Sequence, residues 1–127
     1  MSQESVLLQT THDHVRILTL NRPEKKNALS GELTRTLVAA IDDASSDPAV
    51  RVIGITGNGD TFCAGADLSP GQERESPDET IERVVKLVTG IRVQCHKPVI
   101  AGINGLAIGA GLSLAMCCDM RIASSSA

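Results

Sequence analysis

Three features of the sequence predict an α/β fold. Short runs rich in β-branched residues recur along the chain, longer stretches with apolar residues every three to four positions lie between them, and Pro, Gly, Asn and Asp punctuate the borders. Strand–helix–strand alternation of this kind calls for a largely parallel sheet with right-handed crossovers. At 127 residues the chain is one domain at most, and 42% hydrophobic residues can supply its core.

The elements follow in order. Val6 to Thr10 and Val15 to Asn21 read as strands, antiparallel through the polar link Thr11 to His14. Pro23 ends the second, and the charged loop Glu24 to Asn27 follows. Ser30 is placed to cap a helix whose inner face carries Leu33, Leu37, Ile41 and Ala44, with Pro48 ending that region. Val50 to Thr56 reads as a buried strand and Gly57 to Asp60 as a turn. Residues 69–78, rich in Pro, Gly, Ser and charge, are expected to form a mobile loop near the site. A second amphipathic helix presents Ile81, Val84, Val88, Ile91 and Cys95 inward. Pro98 opens the strand Val99 to Ile103, and Asn104-Gly105 turns the chain. Ala110 to Cys118 is apolar on almost every side and is expected to be a buried helix, with Asp119 to Ala123 a last strand.

Composition removes several function classes. With no Trp, no Tyr and a single Phe, Phe62, the chain has no rings on which to stack single-stranded bases, and a net charge of -3 suits neither nucleic acid nor an anionic membrane. No apolar run reaches the roughly 18 residues that a membrane span needs. The polar start Met1 to Ser5 resembles neither a secretory signal nor a transit peptide. Adjacent Cys117 and Cys118, with Cys63 and Cys95, form no C-x-x-C, so free thiols in a reducing compartment, the cytoplasm, are expected. No metal site is expected, because Cys95 and His96 with Cys117 or Cys118 match no ligand spacing.

The chemistry resides in two Gly/Ala segments, Phe62-Cys-Ala-Gly-Ala-Asp-Leu68 and Gly105-Leu-Ala-Ile-Gly-Ala-Gly111. Each follows an apolar run, and each lets a ligand approach the backbone directly. If each opens a helix, its first N–H groups point outward and favour negative charge. Two such groups aimed at one point make an oxyanion hole for an acyl carbonyl. Singly, either segment is an ordinary tight turn; the function reading needs both.

Cys63 to Leu68, Lys97-Pro-Val-Ile-Ala-Gly-Ile-Asn-Gly-Leu-Ala-Ile-Gly-Ala-Gly111 running on to Cys118-Asp119, and Leu20-Asn-Arg-Pro-Glu-Lys-Lys-Asn-Ala-Leu29 resemble, in the right order, three motifs of the enoyl-CoA hydratase/isomerase (crotonase) family. The resemblance runs from about Val6 to about Ser124. It implies the crotonase-like (ClpP/crotonase) spiral of ββα units, here truncated, with residues 1–127 the N-terminal part of a single domain. It also implies an acyl-CoA thioester as substrate, with no separate cofactor because CoA is part of the substrate. By motif position, the backbone N–H groups of Ala66 and Ala110 are the oxyanion donors. Lys25 and Lys26 would meet CoA phosphates, Ala28 and Ala64 would leave room for adenine and pantetheine, and Asp67 and Leu68 would line the same site, Asp67 chiefly in a structural role. A full-length form is expected to be a homo-oligomer, a trimer or hexamer.

Ser113 departs from that pattern. It stands where hydratases of the family carry a glutamate, and a neutral hydroxyl is no carboxylate base. The second family carboxylate and the trimer-forming helices correspond to sequence beyond residue 127. Hydration and isomerisation therefore stay open, and an inactive fragment that binds acyl-CoA weakly or needs a complementing partner is the alternative. Other readings fail on residues. Gly111-Leu-Ser-Leu-Ala115 lacks the second glycine of a nucleophile elbow, leaving Ser113 a satisfied buried hydroxyl. Leu114 stands where a dinucleotide fingerprint needs glycine.

Overall fold

The computed structural model describes residues 5–69 and 76–127. Strands β1 (Leu7–His12) and β2 (Val15–Leu20) form an antiparallel hairpin, paired from Leu7 with Leu20 to His12 with Val15. Asp13 takes the left-handed conformation that closes its tight turn, φ 55°, a role short polar side chains tolerate. Helix α1 (Gly31–Ser46) then returns the chain to β3 (Val52–Gly57), which runs parallel to β2. A short strand β4 (Thr61–Cys63) follows, and after it α2 (Pro77–Thr89), extended by one wide π turn, Gly90–Gln94. Next come β5 (Val99–Ile103), the two-residue β6 (Leu106–Ala107), α3 (Ala110–Cys117) and β7 (Met120–Ala123).

The main sheet has the order β1-β2-β3-β5-β7, parallel from β2 onward, while β4 and β6 pair in parallel as a second sheet. The chain thus repeats strand–strand–helix three times. In the first unit both strands join the main sheet; in the second and third, the later strand leaves it for the small sheet. Neither β4 nor β6 was expected from the sequence, and they bring the two Gly/Ala segments side by side.

The core sits where α1 covers the sheet. Leu33, Leu37, Ile41 and Ala44 are buried as the spacing predicts, against Leu18, Leu20, Ile53 and Ile55, with Phe62 fully enclosed beside them. Each large aliphatic side chain buried this way is worth about 1.5–3 kcal/mol. Ser30 caps the helix by accepting the Leu33 N–H at 3.1 Å. The other end is closed from a distance: the Lys97 ammonium donates to the carbonyls of Ala44 and Asp47, placing a cation on the negative end of the helix.

Three expectations are corrected. Residues 76–78 are not loop: Ser76 and Glu79 form a reciprocal capping box and Pro77 occupies the first turn of α2, whereas 70–75 lie outside the described residues. The face of α2 expected to turn inward is largely outside, with Ile81 62%, Val84 49% and Val88 38% exposed, because α2 leans on α1 through Arg83 and Leu87 and seats only Leu87 and then Ile91 in the core. Helix α3 buries Gly111, Leu114 and Ala115 but leaves Leu112 and Met116 about half exposed. Its main packing partners among the described residues are β4 and β6. Strand β7 likewise has all four residues exposed.

Candidate active site

The loop after β2 and the segment after β4 are built into one another. Lys26 and Asn27 are both left-handed, φ 53° and 56°, and fold the chain back so that Asn27 is completely buried. Its side chain accepts the Arg22 N–H at 2.8 Å and donates to the carbonyls of Asn58 at 3.0 Å and Thr61 at 2.9 Å. Ala64 N–H donates to the Lys26 carbonyl, Leu29 N–H to Gly65 at 2.7 Å, and Asp67 N–H to Leu29. The Arg22 guanidinium, buried, donates to the Ala28 carbonyl at 2.6 Å and to the Asp67 carboxylate at 2.8 Å.

Asp67 is almost wholly enclosed. Hydrogen bonds from the Ser69 hydroxyl and N–H, then the neighbouring Arg22, outweigh the cost of burial and hold its carboxyl down to about 2. Its side chain is thus tied into the loop, while Leu68 beside it is 91% exposed. Lys25 and Lys26 are exposed, Ala28 is buried and Ala64 half-buried.

The segment after β4 does not open a helix, contrary to expectation. Gly65 takes φ +101°, Ala66 forms a single bridge with Leu29, and no helical turn follows through Ser69. The peptide is planar and trans, so the Ala66 N–H points opposite to the Gly65 carbonyl, away from Leu29. Only Ala110 stands at a helix N-terminus, that of α3, behind Gly109 at φ +58°. Among the described residues neither the Ala66 nor the Ala110 N–H has an acceptor, although Ala64, Asp67, Ile108 and Gly111 N–H groups all do.

The two segments touch through missing side chains. A Cβ on Gly65 would lie 3.5 Å from the Ala110 nitrogen and 3.0 Å from the Ile108 carbonyl. A Cβ on Gly105 would strike the Asp60 carbonyl, and one on Gly111 the Cys63 carbonyl. Ile108 N–H donates to Cys63 at 3.1 Å across the small sheet.

Ser113 is not buried. It is exposed, and its hydroxyl donates back to the Gly109 carbonyl at 3.3 Å, beside a cleft of about 660 Å³ walled by Val88, Leu112 and Met116. A second cleft of about 1080 Å³ between α1 and α2 contains none of the candidate residues. All four cysteines are free. Burial raises the Cys63 thiol and, with Cys117 adjacent, pushes Cys118 up to about 12, so neither is a thiolate at neutral pH. Among the described residues no three His, Cys, Asp or Glu side chains gather as a metal site, and no helix is long and apolar enough to cross a membrane.

Sequence reasoning missed Arg22 and Asn27: Arg22 stood in the Leu20–Leu29 motif without a role, and Asn27 at the end of a charged loop. Their signal lay in chain geometry, two successive left-handed residues, and periodicity does not report that.

The Enoyl-CoA hydratase/isomerase family model matches residues 10–127, and the chain belongs to that family. A probable enoyl-CoA hydratase of Mycobacterium tuberculosis is 42% identical over 97% of this chain and 48% of its own length, and the crotonyl-CoA hydratase of Syntrophomonas wolfei is 37% identical over 100% and 49%. An enoyl-CoA hydratase structure from Mycobacterium avium subsp. paratuberculosis superposes with a TM-score of 0.85 at 35% identity, covering 99% of this chain and 50% of that one. A probable enoyl-CoA hydratase/isomerase from Mycobacterium abscessus gives 0.81 at 38%, covering 96% and 48%. The fold is the crotonase fold, and the chain spans about half the length of the relatives it matches.

Proposed function

We propose that residues 1–127 are the N-terminal, acyl-CoA-binding part of a single crotonase-like domain, and that the whole enzyme acts as an enoyl-CoA hydratase/isomerase through a thioester enolate. The observation that carries this reading is the pair of Ala66 and Ala110 N–H groups, brought near one another by β4 and β6 and without acceptors among the described residues. A thioester oxygen between them would be stabilised as negative charge develops on it. Lys25 and Lys26, both exposed, suit CoA phosphates. Ala28 and Ala64 leave space beneath, exposed Leu68 offers an apolar contact, and Asp67 shapes the loop. CoA enters as part of the substrate and no further cofactor is invoked.

Ser113 supplies no carboxylate, so proton transfer falls to a group outside this segment; that suits isomerase-like chemistry and leaves the acyl chain unspecified. The half-exposed Leu112 and Met116 and the uncovered β7 favour one further reading, that this segment alone binds acyl-CoA weakly and turns over only with a complementing partner. A cytoplasmic homo-oligomer, trimer or hexamer, is the setting proposed for a full-length form.

Replacing Ala66 with Pro deletes its N–H. In a longer, active form, turnover of an unsaturated acyl-CoA should fall roughly a hundred- to a thousandfold. Unchanged turnover in a folded variant would sink the oxyanion assignment.

A further inference from the structure

We infer that Arg22 is a positioning residue for the Ala66 N–H; this rests on the oxyanion reading above. The direction of that N–H is set by its own peptide plane, whose carbonyl, that of Gly65, is held at 2.7 Å by the Leu29 N–H. One residue on either side of the plane is also tied: Ala64 N–H to Lys26, and the Asp67 carboxylate to the guanidinium of Arg22 at 2.8 Å. The other arm of the same guanidinium grips the Ala28 carbonyl at 2.6 Å, next to Leu29 itself. Arg22 therefore bridges the strand-like turn that anchors the donor peptide and the residue that follows it. It is 9% exposed and Asp67's side chain 3%, so little solvent competes for either arm. Main-chain bonds to Leu29 bracket the Gly65–Ala66 peptide, whose glycine sits at φ +101°, and the fork adds a side-chain tie from the carboxylate after that peptide to the carbonyl before Leu29.

Two readouts test this on the 127-residue chain. One is the ¹³C resonance of the thioester carbonyl in a bound, carbonyl-labelled enoyl-CoA, which moves downfield when donors polarise it. The other is hydrogen exchange of the Leu29 amide in the free protein, which reports opening of the Gly65 contact. Arg22→Met should abolish most of the downfield shift and speed Leu29 exchange roughly tenfold, with the amides of α1 as protected as before. Arg22→Lys should recover the melting temperature but not the carbonyl shift, because an ammonium cannot fork. Asp67→Asn keeps the shape and should move both readouts the same way by less; it decides the matter if Arg22→Met leaves Asp67 charged, unpaired and the chain unfolded. Folded variants with wild-type carbonyl shift and wild-type Leu29 exchange overturn the role of Arg22 and leave the oxyanion reading standing. A wild-type protein that binds the probe without shifting its carbonyl overturns the oxyanion reading itself, and this role with it.

Discussion

Residues 63–68 and 105–111 carry similar Gly/Ala sequences and are held in opposite ways. The first is irregular backbone held by main-chain hydrogen bonds to Lys26 and Leu29 and by the guanidinium of Arg22 on the inward-facing carboxylate of Asp67. The second is regular, a two-residue strand leading into α3, and is held by what it lacks: Gly105 and Gly111 let the carbonyls of Asp60 and Cys63 come against the main chain. A polar clamp flanks one candidate donor peptide, and close packing at a helix start flanks the other. Composition alone does not distinguish the two, and their failures should differ.

The strongest way to sharpen that contrast is proline. Proline is at home in the first position of a helix, so Ala110→Pro should fold with near-native stability and still cut turnover of a longer, active form by roughly a hundredfold or more. Ala66→Pro should lose both turnover and melting temperature, since its backbone sits inside the clamp. Circular dichroism melts alongside initial rates separate the two; a destabilised Ala110→Pro would mean that α3 depends on more than packing.

Gly111→Ala should cost about 1–3 kcal/mol by urea unfolding, because backbone at Cys63 cannot yield as a side chain tip would. Gly109→Ala meets no atom within 4 Å and bears only the strain of φ +58° with ψ -125°, a conformation L side chains rarely adopt, so it should cost about 1–3 kcal/mol with no clash at all. Wild-type stability of Gly111→Ala would show that backbone strain, and not contact, governs this segment.

Acid should release the first segment before the second. The folded carboxyl of Asp67 lies near 2 against an ordinary 3.8. Its contribution is therefore complete above 3.8, shrinks as pH falls below it, and is gone once the folded group protonates near 2. Amide exchange at Leu29 and Asp67 should accelerate across that window ahead of Leu114 in α3. Simultaneous loss would show that one global transition, not the clamp, sets acid stability.

The smallest effect belongs to Ser113→Ala, expected within about 0.5 kcal/mol, since the hydroxyl is exposed and makes one long bond to Gly109. A larger loss in chemical denaturation would give that hydroxyl a role in holding α3.

What could be read from the chain beforehand was whatever repeats with a helical or strand period or carries a local capping signal. The face of α1, its Ser30 cap, and the runs that became β1, β2, β3, β5 and β7 were legible on those terms. Strand β4 has three residues and β6 two, too few for alternation to show, yet these bring the candidate donors together. Helix α3 has apolar residues all round, which says that it can be buried but not on which side. Ala66 and Ala110 were candidates through family motifs; the network beside Ala66 was not legible, because Arg22, Asn27 and Asp67 are separated in sequence and joined only by left-handed turns and long-range hydrogen bonds.

A group that works through its peptide N–H leaves descendants free to change its side chain. Ala66 is exposed, so at that position mutation can sample many residues and only proline is barred outright. Inheritance presses instead on the neighbours: Gly105 and Gly111 accept no methyl, and Arg22 with Asp67 must drift as a pair or not at all. On the oxyanion reading proposed above, a lineage that loses the chemistry should first show it as a side chain on one of those glycines or an orphaned member of that pair.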